Sequence, residues 1–317
     1  MSALTLCVIH GHRGARGIAP ENTLAGFSRA CALGVDGLEL DILISADERV
    51  VIHHDARLNT MQTRDLRGHW LESPPPRIRE LTTTELAAFD VGRARPGSST
   101  AEQFPQQLPA DGERIPLLTD LAAWWHGLPE PRPVLNIELK SHPESPQETP
   151  APRDYARIVL AELKAANLLN HAWLQAFDWR VLQEIQAQCC DIPTGYLSCA
   201  RDEDPTIRQN GDSPWLAGFD PLHFGDSLPQ AIKTAGGAFW GPWFGDLSRD
   251  RVREAHELGL RVHVWTLNEA EHINRALNWG VDGITTDYPG RAREIFLTRG
   301  IAVASPGEPD RDTPVHP

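Results

Sequence analysis

Almost from end to end the chain alternates short β-rich apolar segments with runs of helical periodicity, and no other feature restricts its fold as much. Eight segments read as parallel strands: residues 6–10, 37–42, 134–139, 172–177, 193–197, 237–241, 261–266 and 282–286. Helical runs lie between most of them, clearest over 22–33, 155–166, 180–188, 249–258 and 269–279. Gly34, Gly259 and Gly280 follow the last apolar turn of three of these runs, where a left-handed residue closes a helix. Parallel strands need a crossover, and a helix supplies it. Eight strand–helix units in one chain predict an α/β fold, a closed (β/α)8 TIM barrel spanning residues 1–303.

The rhythm breaks in two places. Residues 43–55 read as a β excursion after the second strand, followed by a Pro- and charge-rich stretch to about residue 115. That is too long for a plain strand-to-helix connection, so residues 56–115 are expected to be an insertion over one barrel face. Little regular structure is expected there beyond a helical turn near 83–89. A shorter Pro/Ser/Glu-rich segment runs over 142–152, and the Pro/Asp-rich tail at 304–317 has the composition of disordered chain.

Charge and hydropathy narrow the partners. The formal net charge is −13 and no Lys/Arg cluster appears, which argues against nucleic acid. A small phosphodiester is not excluded, because a metal and one or two local cations can meet its charge. No apolar run approaches the ~18–20 residues a membrane span requires, so stable membrane insertion is not expected. The first ten residues lack a basic leader and a small-residue cleavage site, and a cytoplasmic location is the expectation. The five cysteines match no zinc spacing and are read as reduced, buried, small hydrophobes. Oligomeric state leaves no mark on the sequence.

Chemistry concentrates where strands end. Glu39 and Asp41 are two apart on one strand, so both carboxylates project to one side while Leu38 and Leu40 pack away. Two converging carboxylates repel unless a cation joins them, and a hard ion such as Mg²⁺ or Ca²⁺ suits oxygen ligands. Glu138 and Lys140 share a face at the end of another strand. The first completes a carboxylate set for one metal, and the second offers a cation to a phosphate. Arg13 beside His12, after the first strand, suits binding of phosphate oxygens. One histidine of the His53–His54 pair can face the same site, because alternation sends the two to opposite sides. Two imidazoles flanking a phosphate can act as general acid and general base. Trp265 and Asn268 end the seventh strand, where the indole either walls a glycerol-like group or packs in the core.

These pieces together resemble the glycerophosphodiester phosphodiesterase family. H-R-G (12–14), P-E-N-T (20–23), E-x-D (39–41), H-D-x-x-L (54–58), E-x-K (138–140), W-T-x-N (265–268) and G-V-D-G-I-x-T-D-x-P (280–289) occur in the family's order. The resemblance implies a (β/α)8 barrel with an insertion after the second strand. It also implies metal-dependent hydrolysis of glycerophosphodiesters to sn-glycerol 3-phosphate and an alcohol. It assigns one divalent cation, Mg²⁺ or Ca²⁺, to Glu39, Asp41 and Glu138, and makes His12 and His54 the acid–base pair. Arg13 and Lys140 fall on the phosphate, and the H-D-x-x-L frame selects His54 over His53. One departure stands out: Ala176-Phe177-Asp178 replaces the family's frequent Ser-Phe-Asp, which bears on a substrate contact. Two rival readings remain open at this point. One is a phospholipase-D-like barrel acting on intact lipids; the other is a metal- or phosphate-binding homologue without catalysis.

Overall fold

The computed structural model describes residues 7–201, 205–208 and 211–305. Leu6 and most of the Pro/Asp-rich tail lie outside the described residues. Eight parallel strands close on themselves. In chain order they are β1 (Val8–Gly11), β2 (Gly37–Ile44), β6 (Val134–Leu139), β7 (Ala172–Ala176), β8 (Thr194–Ser198), β9 (Phe239–Pro242), β10 (Arg261–Val264) and β11 (Gly283–Thr286). Their spatial order is β1-β11-β10-β9-β8-β7-β6-β2, and β1 pairs in parallel with both β11 and β2, which closes the ring. A ninth strand, β3 (Val50–Ile52), turns back antiparallel on the end of β2 and forms the expected excursion.

Helices α1 (Leu24–Ala32), α4 (Leu118–His126), α5 (Pro152–Ala165), α6 (Trp179–Gln188), α7 (Leu228–Thr234), α8 (Arg249–Glu257), α9 (Ala270–Trp279) and α10 (Pro289–Thr298) each follow one barrel strand. Leu38, Leu40 and Ile42 of β2 join Trp125, Tyr155 and Trp179 in the apolar layer between strands and helices. Each fully buried side chain of this size contributes about 1.5–3 kcal/mol. The Tyr155 hydroxyl donates 2.6 Å to the Ile42 carbonyl and ties α5 to the end of β2. Gly280, with φ +84°, closes α9 in the left-handed conformation its position called for.

The insertion is more regular than its composition promised. It holds a two-stranded antiparallel pair, β4 (Arg64–Asp65) with β5 (Phe89–Asp90), and two short helices, α2 (Thr83–Leu86) and α3 (Ser99–Gln103). A separate apolar cluster of Leu43, Val51, Leu58, Ile78, Leu86 and Ile115 seats it on the β2–β3 edge. That small core is why a Pro-rich segment holds its shape. The five cysteines are free, but only Cys7 and Cys199 are buried, and Cys190 is exposed. No helix among the described residues is long and apolar enough to cross a membrane.

Candidate active site

Parallel strands bring all their C-terminal ends to one rim, and the charged residues singled out in the sequence collect there. Parallel register sets Asp41 of β2 beside Glu138 of β6, and Glu138 beside Gln175 of β7. Glu39, Asp41 and Glu138 are all buried, with one carboxylate oxygen of each within 4.8 Å of the others. Burial, then repulsion from Asp41 and Glu138, pushes the Glu39 carboxyl well above the usual range. Burial likewise raises Glu138, opposed by Lys140. Asp41 goes the other way. Burial would raise it, but Arg13, His54 and Lys140 outweigh burial and hold it far below an ordinary carboxyl. Three buried carboxylates with too little positive charge among them form a donor set that fits a hard divalent cation.

The loop after β1 wraps around this cluster. Arg13 (φ +48°) and Gly14 (φ +90°) are both left-handed, which aims the Arg13 N–H at Glu39 Oε2, 3.0 Å away. Only glycine fits at 14, since a Cβ there would come within 2.7 Å of the Gly26 backbone in α1. The Arg13 side chain lies 2.9 Å from Glu21 Oε1 and 3.1 Å from Asp41 Oδ2. Lys140 Nζ lies 2.6 Å from Glu138 and 3.7 Å from Asp41. Both cations expected on a phosphate therefore rest on carboxylates at the edge of the site. Asn22 does not cap α1; Thr23 does. Freed by φ +53°, Asn22 clamps Asp41 instead, its Nδ2 donating 2.9 Å to the carboxylate and its Oδ1 accepting from the Asp41 N–H at 3.3 Å.

His12 and His54 both line the cleft that opens over the carboxylates, about 710 Å³ in volume, while His53 lies in the wall behind. Each ring is held through Nδ1 by an aspartate. His12 Nδ1 is 2.6 Å from Asp287 Oδ1, and His54 Nδ1 is 2.7 Å from Asp55 Oδ1. The ring is thereby fixed with Nε2 turned away from its aspartate; His12 Nε2 lies 4.0 Å from Glu39. Burial favours the neutral form of Asp287, but His12, Arg16 and Asn268 outweigh it and bring the carboxyl down to about 2. Burial, reinforced by the Arg13 and Lys140 charges, lowers His54 to about 4 against the pull of Asp41 and Asp55. Its side chain stays 28% exposed, enough to meet a ligand.

Leu43, Leu139, Phe177, Leu197, Trp215 and Trp265 add apolar surface to the cleft wall. Trp265 stands edge-on to Phe177 at 5.4 Å and donates to the Gly241 carbonyl, so it lines the cleft and also packs. Ala176 is fully buried in the strand–helix core, while its neighbours Gln175 and Phe177 face the cleft. The substrate contact that the missing serine hydroxyl seemed to bear on does not arise, because this position points away. Of the insertion, only Ala56 and Arg57 line the cleft. It flanks the mouth more than it covers it. Asp55 and Asp287, which carried no assigned role in the sequence, are the residues that sequence reasoning missed. Both already stood inside recognised motifs, H-D-x-x-L and T-D-x-P, and that was the available signal.

Comparison with known proteins identifies the family. The sequence model of the Glycerophosphoryl diester phosphodiesterase family matches residues 12–291. A crystal structure of a glycerophosphoryl diester phosphodiesterase homologue from Silicibacter pomeroyi DSS-3 superimposes with a TM-score of 0.84. It is 37% identical and covers 94% of this chain and 95% of its own. An Oleispira antarctica phosphodiesterase, solved in complex with the product sn-glycerol-3-phosphate, shares the fold at 21% identity and a TM-score of 0.64, covering 92% of this chain and 97% of its own. Among curated proteins, a Bacillus subtilis glycerophosphodiester phosphodiesterase is 26% identical over 88% of this chain and 82% of its own. The mouse protein named lysophospholipase D GDPD1 is 26% identical over 90% and 84%. With its barrel, its acidic cluster and a match from His12 to Arg291, the chain belongs to the glycerophosphoryl diester phosphodiesterase family.

Proposed function

We propose that the chain hydrolyses glycerophosphodiesters to sn-glycerol 3-phosphate and an alcohol, with His12 and His54 as the acid–base pair. Glu39, Asp41 and Glu138 would hold one divalent cation, Mg²⁺ or Ca²⁺. The observation that carries the reading is the pair of aspartate-backed imidazoles flanking three buried carboxylates at one strand-end rim. A divalent cation on those carboxylates neutralises phosphate charge and polarises the P–O bonds. The rest falls to the chain's own groups. One imidazole takes a proton from the nucleophile, either the substrate's glycerol 2-hydroxyl or water, and the other gives one to the departing alcohol oxygen. If a cyclic phosphate forms, the roles exchange for its opening. Lys140 and Arg13 sit close enough to share their charge with a phosphate over the cluster. Trp265 offers a flat apolar wall to the glycerol carbons. A binding protein without catalysis has no need of two imidazoles each held by a carboxylate.

The apolar side chains in the cleft wall favour a second reading, hydrolysis of a glycerophospholipid that still carries an acyl chain. One assay separates the two. Glycerol 3-phosphate release is followed from glycerophosphocholine and glycerophosphoethanolamine, and choline release from lysophosphatidylcholine, in EDTA and after Mg²⁺ or Ca²⁺ is restored. Metal-dependent release from the deacylated diesters is expected. Turnover of the lysolipid alone would favour the second reading, and no turnover of any of them would refute both.

A further inference from the structure

The two catalytic histidines share more than an aspartate. Behind His12, the second carboxylate oxygen of Asp287 accepts from Asn268 Nδ2 at 2.6 Å. Behind His54, the second carboxylate oxygen of Asp55 accepts from Asn59 Nδ2 at 3.1 Å. Each asparagine is locked in turn by its own carbonyl oxygen. Asn268 Oδ1 accepts the Asp287 N–H at 3.0 Å and the Thr286 hydroxyl at 3.3 Å; Asn59 Oδ1 accepts the Met61 N–H at 2.9 Å. An amide whose oxygen is committed in this way can turn only its NH₂ toward the aspartate. The same three-part arrangement, imidazole to carboxylate to amide, is thus built twice from unrelated parts of the chain. One copy comes from the loops after β10 and β11, the other from the first turn of the insertion.

We propose that Asn268 and Asn59 are positioning residues of the reaction, and that the insertion acts on catalysis through Asn59. This rests on the two-histidine reading given above. Each amide fixes the plane of a carboxylate that would otherwise rotate about its Cβ–Cγ bond. The carboxylate then fixes the imidazole tautomer, with the proton on Nδ1 and Nε2 presented to the substrate. Neither asparagine lines the cleft. What each adds is alignment, which is gained where proton transfer is part of the transition state and not where the substrate merely binds.

The test uses Asn59→Ala and Asn268→Ala in the full-length, metal-loaded enzyme, with Asn59→Ser and Asn268→Ser as milder, uncharged variants and a melting curve for each. A serine is small and neutral, keeps a hydroxyl at each turn and withdraws the amide donor from the aspartate. Two substrates are compared: glycerophosphocholine, whose alcohol must be protonated to leave, and the diester of glycerol 3-phosphate with 4-nitrophenol, whose phenolate leaves unaided. On glycerophosphocholine, kcat is expected to fall about 10- to 100-fold in each variant, with KM within about threefold. On the nitrophenyl diester, one of the two positions recovers most of its loss while the other does not, because only one histidine serves as the acid. A merely structural role would lower both substrates alike at both positions. That result, or kcat within about twofold of wild type, overturns the proposal. His12→Ala and His54→Ala are measured alongside. If those retain turnover, the two-histidine reading itself fails and takes the proposal with it; if they are inactive while the asparagine variants are normal, the proposal alone fails.

Discussion

Four histidines near the barrel axis divide into two pairs, and the contrast between them shows how the fold assigns chemistry. His12 and His54 sit at the open rim, each bonded to an aspartate through Nδ1. His10 and His263 lie below them inside the barrel, buried, with ring centroids 4.2 Å apart and packed against Trp173. Among the described residues, His263 has a single side-chain partner, the Thr285 hydroxyl at 3.0 Å, and neither ring nitrogen of His10 has one. Burial, and then the charge of Arg261, brings His263 down to about 3; burial, with His263 and Arg261 adding to it, drives His10 well below its ordinary value. His10 and His12 are two residues apart at the end of β1, yet one packs inside the barrel and the other lines the cleft. The carboxylate beside the ring makes the difference, not the ring.

The largest effect that would sharpen this contrast concerns the carboxylates at the rim. Glu39→Gln removes one of three mutually repelling charges while keeping an oxygen for the Arg13 N–H. Turnover is expected to fall on the order of 10²–10³-fold, the loss of several kcal/mol of charge stabilisation. In EDTA the variant should melt at or above the wild-type temperature, and a rise in Tm with Mg²⁺ or Ca²⁺, expected of the wild type, should be absent from it. Calorimetric melting with and without metal checks both. A variant that is less stable in EDTA yet still stabilised by metal would show that Glu39 supports the fold instead of the ion.

A smaller effect should appear at the barrel floor, as a dependence of stability on pH. Because His10 and His263 are held neutral in the native state, the unfolded chain binds the extra protons. Stability is therefore complete above the unfolded histidine value of about 6.5. It is lost as the pH falls from there, toward about 3 for His263. The slope approaches about 1.4 kcal/mol per pH unit for each histidine that titrates only on unfolding. His54, lowered to about 4, contributes in the same window. Asp287 and Glu21, both held near 2, withdraw their contribution only at lower pH. Urea unfolding at pH 7.5, 6.0 and 5.0 measures the slope, and His10→Leu should remove one histidine's share. A flat profile over that range would mean the floor histidines protonate inside the fold.

Much of this architecture was legible in the sequence, for definite reasons. Strand and helix periods differ, so eight alternations could be counted, and the spacing of Glu39–Asp41 and Glu138–Lys140 gives a shared face on any strand. What depended on distance in the chain was not legible. His12 and Asp287 are 275 residues apart and meet only because β1 and β11 close the barrel. The small core of the insertion draws on Leu43 and Val51 from outside it, so its composition alone understated its order. Arg13 and Lys140 could be placed at the site but not aimed, because a cation among buried carboxylates turns to them first. Ala176 looked like a change at the substrate until the strand fixed which way it faces.

The measurement that tests the account most directly is turnover of glycerophosphocholine by His12→Ala, His54→Ala and His10→Leu, with a melting curve for each. The account predicts that His12→Ala and His54→Ala fold like the wild type and lose about 10²–10⁴-fold in kcat, while His10→Leu keeps kcat within about threefold. Near-normal turnover in either rim variant, or a loss in His10→Leu as deep as theirs, would contradict it.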